Sequence, residues 1–181
     1  MLTLLAGLKN KTVYHGSYIE VKEPDLTVCK KGKDFGQGFY LTTDKRQAVS
    51  FAKIIANRKD LPEGVLNIYQ LSDLDGLKVY EFPDTNVEWL NCVIGHRKNQ
   101  YKSFAAPFKQ YDVLIGKIAD DDTSQVINAY MQGVFGVIGS DRAIEAAMER
   151  FLTNRLKNQI CLKSEKALQK LTFVESKIIK L

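Results

Sequence analysis

Hydrophobic positions fall into two spacings along this chain. Short runs of β-branched, aromatic and aliphatic residues, bounded by Gly, Pro, Asp or Ser, predict strands at about Lys11 to Tyr14, with His15 at the end, and at Phe39 to Thr42, Val65 to Leu71, Leu77 to Phe82, Tyr111 to Ile118, Asn158 to Leu162 and Thr172 to Ile179. Apolar positions three and four apart predict helices between them. Asp44 caps one that carries Ala48, Phe51, Ala52, Ile55 and Ala56 on a single face, and Asp84 caps another through Val87, Leu90, Val93 and Ile94. Further helices are expected over about Thr123 to Met131 and about Asp141 to Lys157, where Ser140 is the cap and Ile144, Met148, Phe151 and Leu152 share a face. Ser164 caps a short helix through Leu171.

Ser17 to Gly36, broken by Pro24 and Gly32 and rich in lysine at Lys30, Lys31 and Lys33, reads as a loop. The near-continuous apolar run from Tyr111 to Ile118 belongs inside a sheet, and Trp89 belongs in the core. Strands and helices interleave without a strict β-α-β repeat, which favours an α+β fold over a doubly wound sheet. We expect residues 1–181 to form a single domain.

Composition narrows the picture. A chain of 181 residues buries roughly 70% of its unfolded surface, and 45% hydrophobic with 26% charged residues is ordinary for a globular fold. A net charge of +5 would favour polyanionic ligands such as a dinucleotide or RNA, but by itself reads first as a solvated basic surface. Three cysteines, Cys29, Cys92 and Cys161, show no Cys-x-x-Cys spacing and only two histidines accompany them, so no metal site is expected and the thiols are read as buried and free. The opening Met1 to Leu8 has no basic region before its short apolar stretch, and no run reaches the roughly 20 residues of a membrane span, so a cytoplasmic protein without membrane contact is expected.

Chemistry concentrates in Asp34-Phe-Gly-Gln-Gly-Phe-Tyr-Leu-Thr-Thr43. Gly36 and Gly38 permit positive φ or close backbone approach, and Tyr40 near the strand start offers a flat ring and a hydroxyl. Upstream, Thr12-Val-Tyr-His-Gly-Ser17 places His15 before a glycine. This pairing resembles the ADP-ribosyltransferase fold of the diphtheria toxin and poly(ADP-ribose) polymerase kind, in which a Tyr-His-Gly strand is followed by a Phe-Gly-x-Gly-x-Tyr strand. More narrowly, Tyr14-His-Gly-Ser17, Pro24-Asp-Leu26, Asp34 to Thr43, Gln47-Ala48, Glu88-Trp-Leu90, Tyr111 to Gly116, Ala119-Asp-Asp121 and Asn158-Gln-Ile160 resemble a bacterial branch known as the DUF3990 family.

The resemblance implies a split β-sheet core with flanking helices and NAD as co-substrate, bent in a cleft. His15, Tyr40 and Gln159 take the catalytic positions: His15 on a ribose hydroxyl, Tyr40 stacked on the nicotinamide, and Gln159 where the family pattern has a glutamate. Tyr14, Gly16, Ser17, Phe35, Gly36, Gly38, Thr42 and Asp120 would line the dinucleotide site, with Gly16 bracketing the carboxamide and Asp120 or Asp121 contacting ribose or activating the acceptor. A glutamine holds a hydroxyl but accepts no proton as a carboxylate does, which argues against polymer synthesis. The expected activity is mono-ADP-ribosylation of a protein or nucleic-acid acceptor by the toxin of a toxin and antitoxin pair. A catalytically degenerate NAD or ADP-ribose binding module, an RNA 2′-phosphotransferase-like enzyme and a purely architectural reading of the two motifs stay open.

Overall fold

The computed structural model describes residues 4–151 and 156–181. Among them, strand β1 (Lys11–Ser17) pairs antiparallel with β3 (Glu63–Leu71), and β7 (Leu171–Lys180) covers the other edge of β3. A second sheet has the order β2 (Phe39–Leu41), β6 (Asn158–Leu162), β5 (Val113–Lys117) and β4 (Val79–Glu81), in which only the β4–β5 pair is parallel. The fold is α+β, as expected. β5 is interior to its sheet, and the consecutive runs that become β3 and β4 part into different sheets.

Strand β1 passes through His15 to Ser17, because Gly16 and Ser17 still pair with Leu66 and Val65. His15 therefore lies within a strand and not at its end. Helix α1 (Lys45–Asn57) starts at Asp44, whose side chain accepts from the backbone N–H groups of Arg46 and Gln47. Helix α2 (Val87–Arg97) is capped by Asn86 and not Asp84: the Asn86 side chain accepts from Trp89 N, while Asp84 accepts from Thr85 N.

Helix α3 (Asp121–Met131) follows the Asp120 cap, and α4 (Asp141–Met148) follows Ser140. The latter ends before the expected Lys157, since the chain turns to set Phe151 edge-on to Trp89 at 5.7 Å; Leu152 lies outside the described residues. Helix α5 (Glu165–Leu168) stops before Leu171, which already pairs with Leu71 in β7.

The alternation of side chains along each strand builds four layers. Ala48, Ala52 and Ala56 of α1 are buried on the first sheet. The other face of that sheet shares a core with the second sheet, where Val13, Tyr69 and Leu71 meet Phe39, Leu41, Val113, Ile115, Ile160 and Leu162. The far face of the second sheet presents Leu114 and Cys161 to α2, α3 and α4, among Trp89, Val93, Ile127 and Ala143. Cys92 and Cys161 are buried free thiols; Cys29 is only partly buried, because its loop leaves it at the surface with Sγ 3.3 Å from Asp25 O. No described helix is long and apolar enough to cross a membrane.

Small residues let α1 sit directly on the backbone of the first sheet. A Cβ at Gly16 would lie 2.2 Å from Ala48 O, and one at Gly64 would lie 2.6 Å from Ala52 O. Gly16→Ala is accordingly expected to lower unfolding stability by about 1–3 kcal/mol, read from the urea midpoint. An unchanged midpoint would show that α1 can move away without cost.

Candidate functional site

Besides their shared core, the two sheets are joined among the described residues by an isolated backbone bridge, where Tyr14 N donates to Thr42 O at 2.8 Å and Thr42 N donates to Tyr14 O at 3.0 Å. This contact brings β1 beside β2. His15 Nδ1 then lies 2.7 Å from Tyr40 O, so Nδ1 carries the proton and Nε2 is left as an acceptor. The imidazole also packs on Phe39 at a centroid distance of 4.4 Å. Burial lowers its pKa below 6.5; the Tyr40 carbonyl opposes that effect and the Lys33 charge adds to it.

Tyr40 leaves the opposite face of β2 from Phe39 and packs on the α2–α4 side. Its hydroxyl donates to Gly36 O at 2.7 Å and accepts from Phe35 N at 3.0 Å. Burial raises the phenol pKa well above its ordinary value, so the group is a donor across the physiological range. On the neighbouring strand Cys161 is paired with Tyr40 and Gln159 sits two residues along, on the same face. Burial likewise pushes the Cys161 thiol up to about 12.

Gln159 is 6% exposed. Its Nε2 donates to Asp34 Oδ2 at 2.9 Å and to Lys117 O at 3.2 Å. Asp34 Oδ1 in turn accepts from Arg97 Nη2 at 2.6 Å and Nε at 3.1 Å, and Oδ2 from Ala119 N at 3.1 Å. One carboxylate thus ties the loop before β2, the end of α2, the turn after β5 and strand β6.

Of the three expected catalytic residues, His15 and Tyr40 are in contact through the Tyr40 backbone, and Tyr40 and Gln159 share a sheet face. The His15 ring, from β1, packs on Phe39, on the side of β2 away from the Tyr40 phenol. Among the other expected residues, Gly36 takes φ +84 and a Cβ there would meet the His96 ring at 2.4 Å. Gly38 allows β2 to approach β6, since its Cβ would lie 2.5 Å from Cys161 Sγ. Phe35 is fully buried and stacks on Phe82 at 5.4 Å.

Four of the expected dinucleotide residues are occupied with the fold itself. Tyr14 faces α1, with Ala48 and Leu66. The space Gly16 leaves open is filled by α1. Thr42 Oγ1 lies 2.9 Å from Gln47 Oε1 and accepts from Asp44 N at 3.0 Å. Ser17 is buried, with Oγ 3.5 Å from Ile19 N. Asp120 is exposed and caps α3 through Thr123 N at 2.9 Å; the side chain of Asp121 lies outside the described residues.

Two surface clefts lie away from these residues. One of about 220 Å³ is lined by Tyr80, Glu88, Phe104, Phe108 and Tyr111, and one of about 120 Å³ by Lys98, Tyr101, Asn128 and Gln132. Sequence reasoning placed Asp34 at the start of the motif, Arg97 at a helix C-terminus where its charge suits the dipole and Lys33 among the lysines that suggest RNA, but did not join Asp34 to Arg97. A signal for the first two exists: an aspartate amid buried aromatic and glycine residues demands a cation, and Arg97 ends the helix whose Trp89 and Val93 face that core.

Residues 11–173 match the family described as protein of unknown function (DUF3990). The chain belongs to this family. A search of curated proteins finds no match. The DUF3990 match spans β1 to the first residues of β7, and so takes in both motifs, Asp34, Arg97 and Gln159.

Two predictions arise from the electrostatics of this DUF3990 site. Burial holds the pKa of both His15 and His96 below 6.5 in the folded chain, so below that pH the unfolded chain binds more protons. Stability is therefore full above about pH 6.5 and falls as pH drops, by at most about 1.4 kcal/mol per pH unit for each histidine. The urea midpoint is expected to fall from pH 7.5 to pH 5, and less steeply in His15→Gln; a pH-independent midpoint would contradict this. Arg97→Met strands the Asp34 carboxylate and is expected to cost about 3 kcal/mol, the lower end for a buried pair because both side chains keep some solvent contact. Equilibrium unfolding measures it.

Proposed function

We propose that the protein is an NAD-dependent mono-ADP-ribosyltransferase acting as the toxin of a bacterial toxin and antitoxin pair. The observation that carries this reading is that Tyr40 and Gln159, far apart in sequence, share one face of the second sheet, while His15 reaches the Tyr40 backbone carbonyl across the bridge between the sheets. The toxin role rests on the family resemblance; the chemistry rests on these groups. His15 Nε2 is the acceptor for a ribose hydroxyl, since Nδ1 is committed to Tyr40 O. Tyr40 supplies the ring for the nicotinamide, held in one plane by its two hydroxyl bonds.

Cleavage breaks the bond between the ribose anomeric carbon and the nicotinamide nitrogen, whose electron pair leaves with neutral nicotinamide. The acceptor's nucleophilic atom forms the new bond to that carbon and releases its proton. Gln159 is no base for that proton, so the acceptor is a nucleophile that loses it to solvent or brings its own base. Positive charge develops at the anomeric carbon, and what lowers the barrier is dipoles already aimed there. The exposed Lys30 to Gly32 stretch, with Gly32 at φ +77, lies next to the buried, anchored Asp34 and Phe35. The lysines of that stretch and Lys33 suit a pyrophosphate.

In a bacterial lysate incubated with labelled NAD, the wild-type protein is expected to yield ADP-ribose adducts by mass spectrometry, and Tyr40→Ala and His15→Ala to yield essentially none. Retained NAD binding with no adduct from the wild type would make the chain a binding module. If NAD at a hundred times the expected Kd gave none of the roughly 2.7 kcal/mol of linked stabilisation, the reading would fall altogether.

A further inference from the structure

The geometry points to Asp34 as the positioning residue that turns the Gln159 amide so that its oxygen, and not its nitrogen, faces the substrate. This rests on the reading above and concerns the same site. Asp34 is 8% exposed, and its carboxylate takes Arg97 Nε and Nη2, Ala119 N and Gln159 Nε2 at 3.1, 2.6, 3.1 and 2.9 Å. An ionised carboxylate only accepts hydrogen bonds, so it demands the nitrogen end of Gln159. Lys117 O, 3.2 Å from the same Nε2, demands it too. Both amide protons are thereby committed and the side chain has one orientation.

The oxygen is left over. Gln159 Oε1 has no partner within the described chain, and Thr85 Oγ1 is the single fully buried side-chain polar atom without one among the described residues. Oε1 therefore keeps contact with solvent. A glutamine free to rotate presents a donor or an acceptor as its partner requires. Held by Asp34 it presents an acceptor only, the polarity a glutamate would have but without the charge.

That polarity selects a hydroxyl donor. On the substrate proposed, the matching group is the 2′-hydroxyl of the nicotinamide ribose, and a phosphate oxygen would be refused. Asp34 touches no substrate atom; it acts through Gln159. Asp34→Asn keeps the shape and removes the charge. With its oxygen on Arg97, the new amide nitrogen faces Gln159 and Ala119 N, so Gln159 Nε2 loses its charged acceptor and keeps only Lys117 O, and the amide is no longer held in one orientation.

The test compares NAD with its nicotinamide-ribose 2′-deoxy analogue in the nicotinamide-release assay, using wild type, Asp34→Asn and Gln159→Leu. In the wild type the hydroxyl is worth on the order of tenfold in kcat/KM relative to its value in Gln159→Leu, the factor of one well-made hydrogen bond. Asp34→Asn is expected to lower the NAD to 2′-deoxy ratio toward that of Gln159→Leu, because Lys117 O alone then orients the amide. The intrinsic reactivity difference between the nucleotides is common to all three proteins and cancels. A merely structural Asp34 would slow both substrates by the same factor, and an unchanged ratio would overturn the inference while leaving the transferase reading intact.

Absence of nicotinamide release from NAD by the wild type would instead sink the transferase reading and this inference with it. A second measurement needs no Asp34 variant to fold. In the wild-type protein, the Gln159 side-chain amide protons, assigned by their loss in Gln159→Leu, are expected to exchange with solvent at least tenfold more slowly than those of an exposed glutamine. Exchange at the exposed rate would contradict the double commitment of Nε2.

Discussion

A single carboxylate, Asp34, sets the arrangement around which the candidate site is built. It is nearly buried, and a buried charge persists only if it is matched and fully hydrogen-bonded. Arg97 supplies the opposite charge from the end of α2, Ala119 supplies a backbone donor from the turn after β5, and Gln159 supplies an amide from β6. Four segments far apart in sequence are thus tied at one point. The next residue, Phe35, is driven under the second sheet, where Gly116 leaves the room: a Cβ there would lie 3.0 Å from the Phe35 ring. Tyr40 then closes the turn by holding Phe35 N and Gly36 O with one hydroxyl.

The second constraint is the split between the sheets. Tyr14 and Thr42 make the bridge, so β1 stays within reach of β2 without joining its ladder. His15 lies at that seam, neutral because burial disfavours its charged form, with one nitrogen fixed on Tyr40 O and the other available. Neutrality matters for the proposed chemistry, since a hydroxyl needs an acceptor and an imidazolium is only a donor.

Much of the fold could be read from local patterning. The Asp44, Ser140 and Ser164 caps, the central position of β5, the burial of Trp89 and the bounds of β6 follow from hydrogen-bonding chemistry and periodicity within a few residues. What was not legible depended on partners distant in sequence. Strand β1 extends through Gly16 because α1 packs on it, and α5 is cut short because Leu171 pairs with Leu71. Asn86 outcompetes Asp84 as a cap through geometry that composition does not reveal. At the site, His15, Tyr40 and Gln159 were visible as motif positions. The Asp34–Arg97 pair was missed: the two residues lie 63 positions apart, and only the apolar surroundings of each, not any spacing between them, point to the match.

The family membership and the convergence of these strands set a clear question for the protein in solution: whether a dinucleotide engages this seam. Amide hydrogen exchange with and without NAD answers it most directly. The account predicts that NAD alters protection in peptides covering residues 11–17, 30–42 and 158–162 and leaves β7 unchanged. Protection unaltered everywhere, or altered only around the Tyr80 and Phe108 cleft, would contradict it.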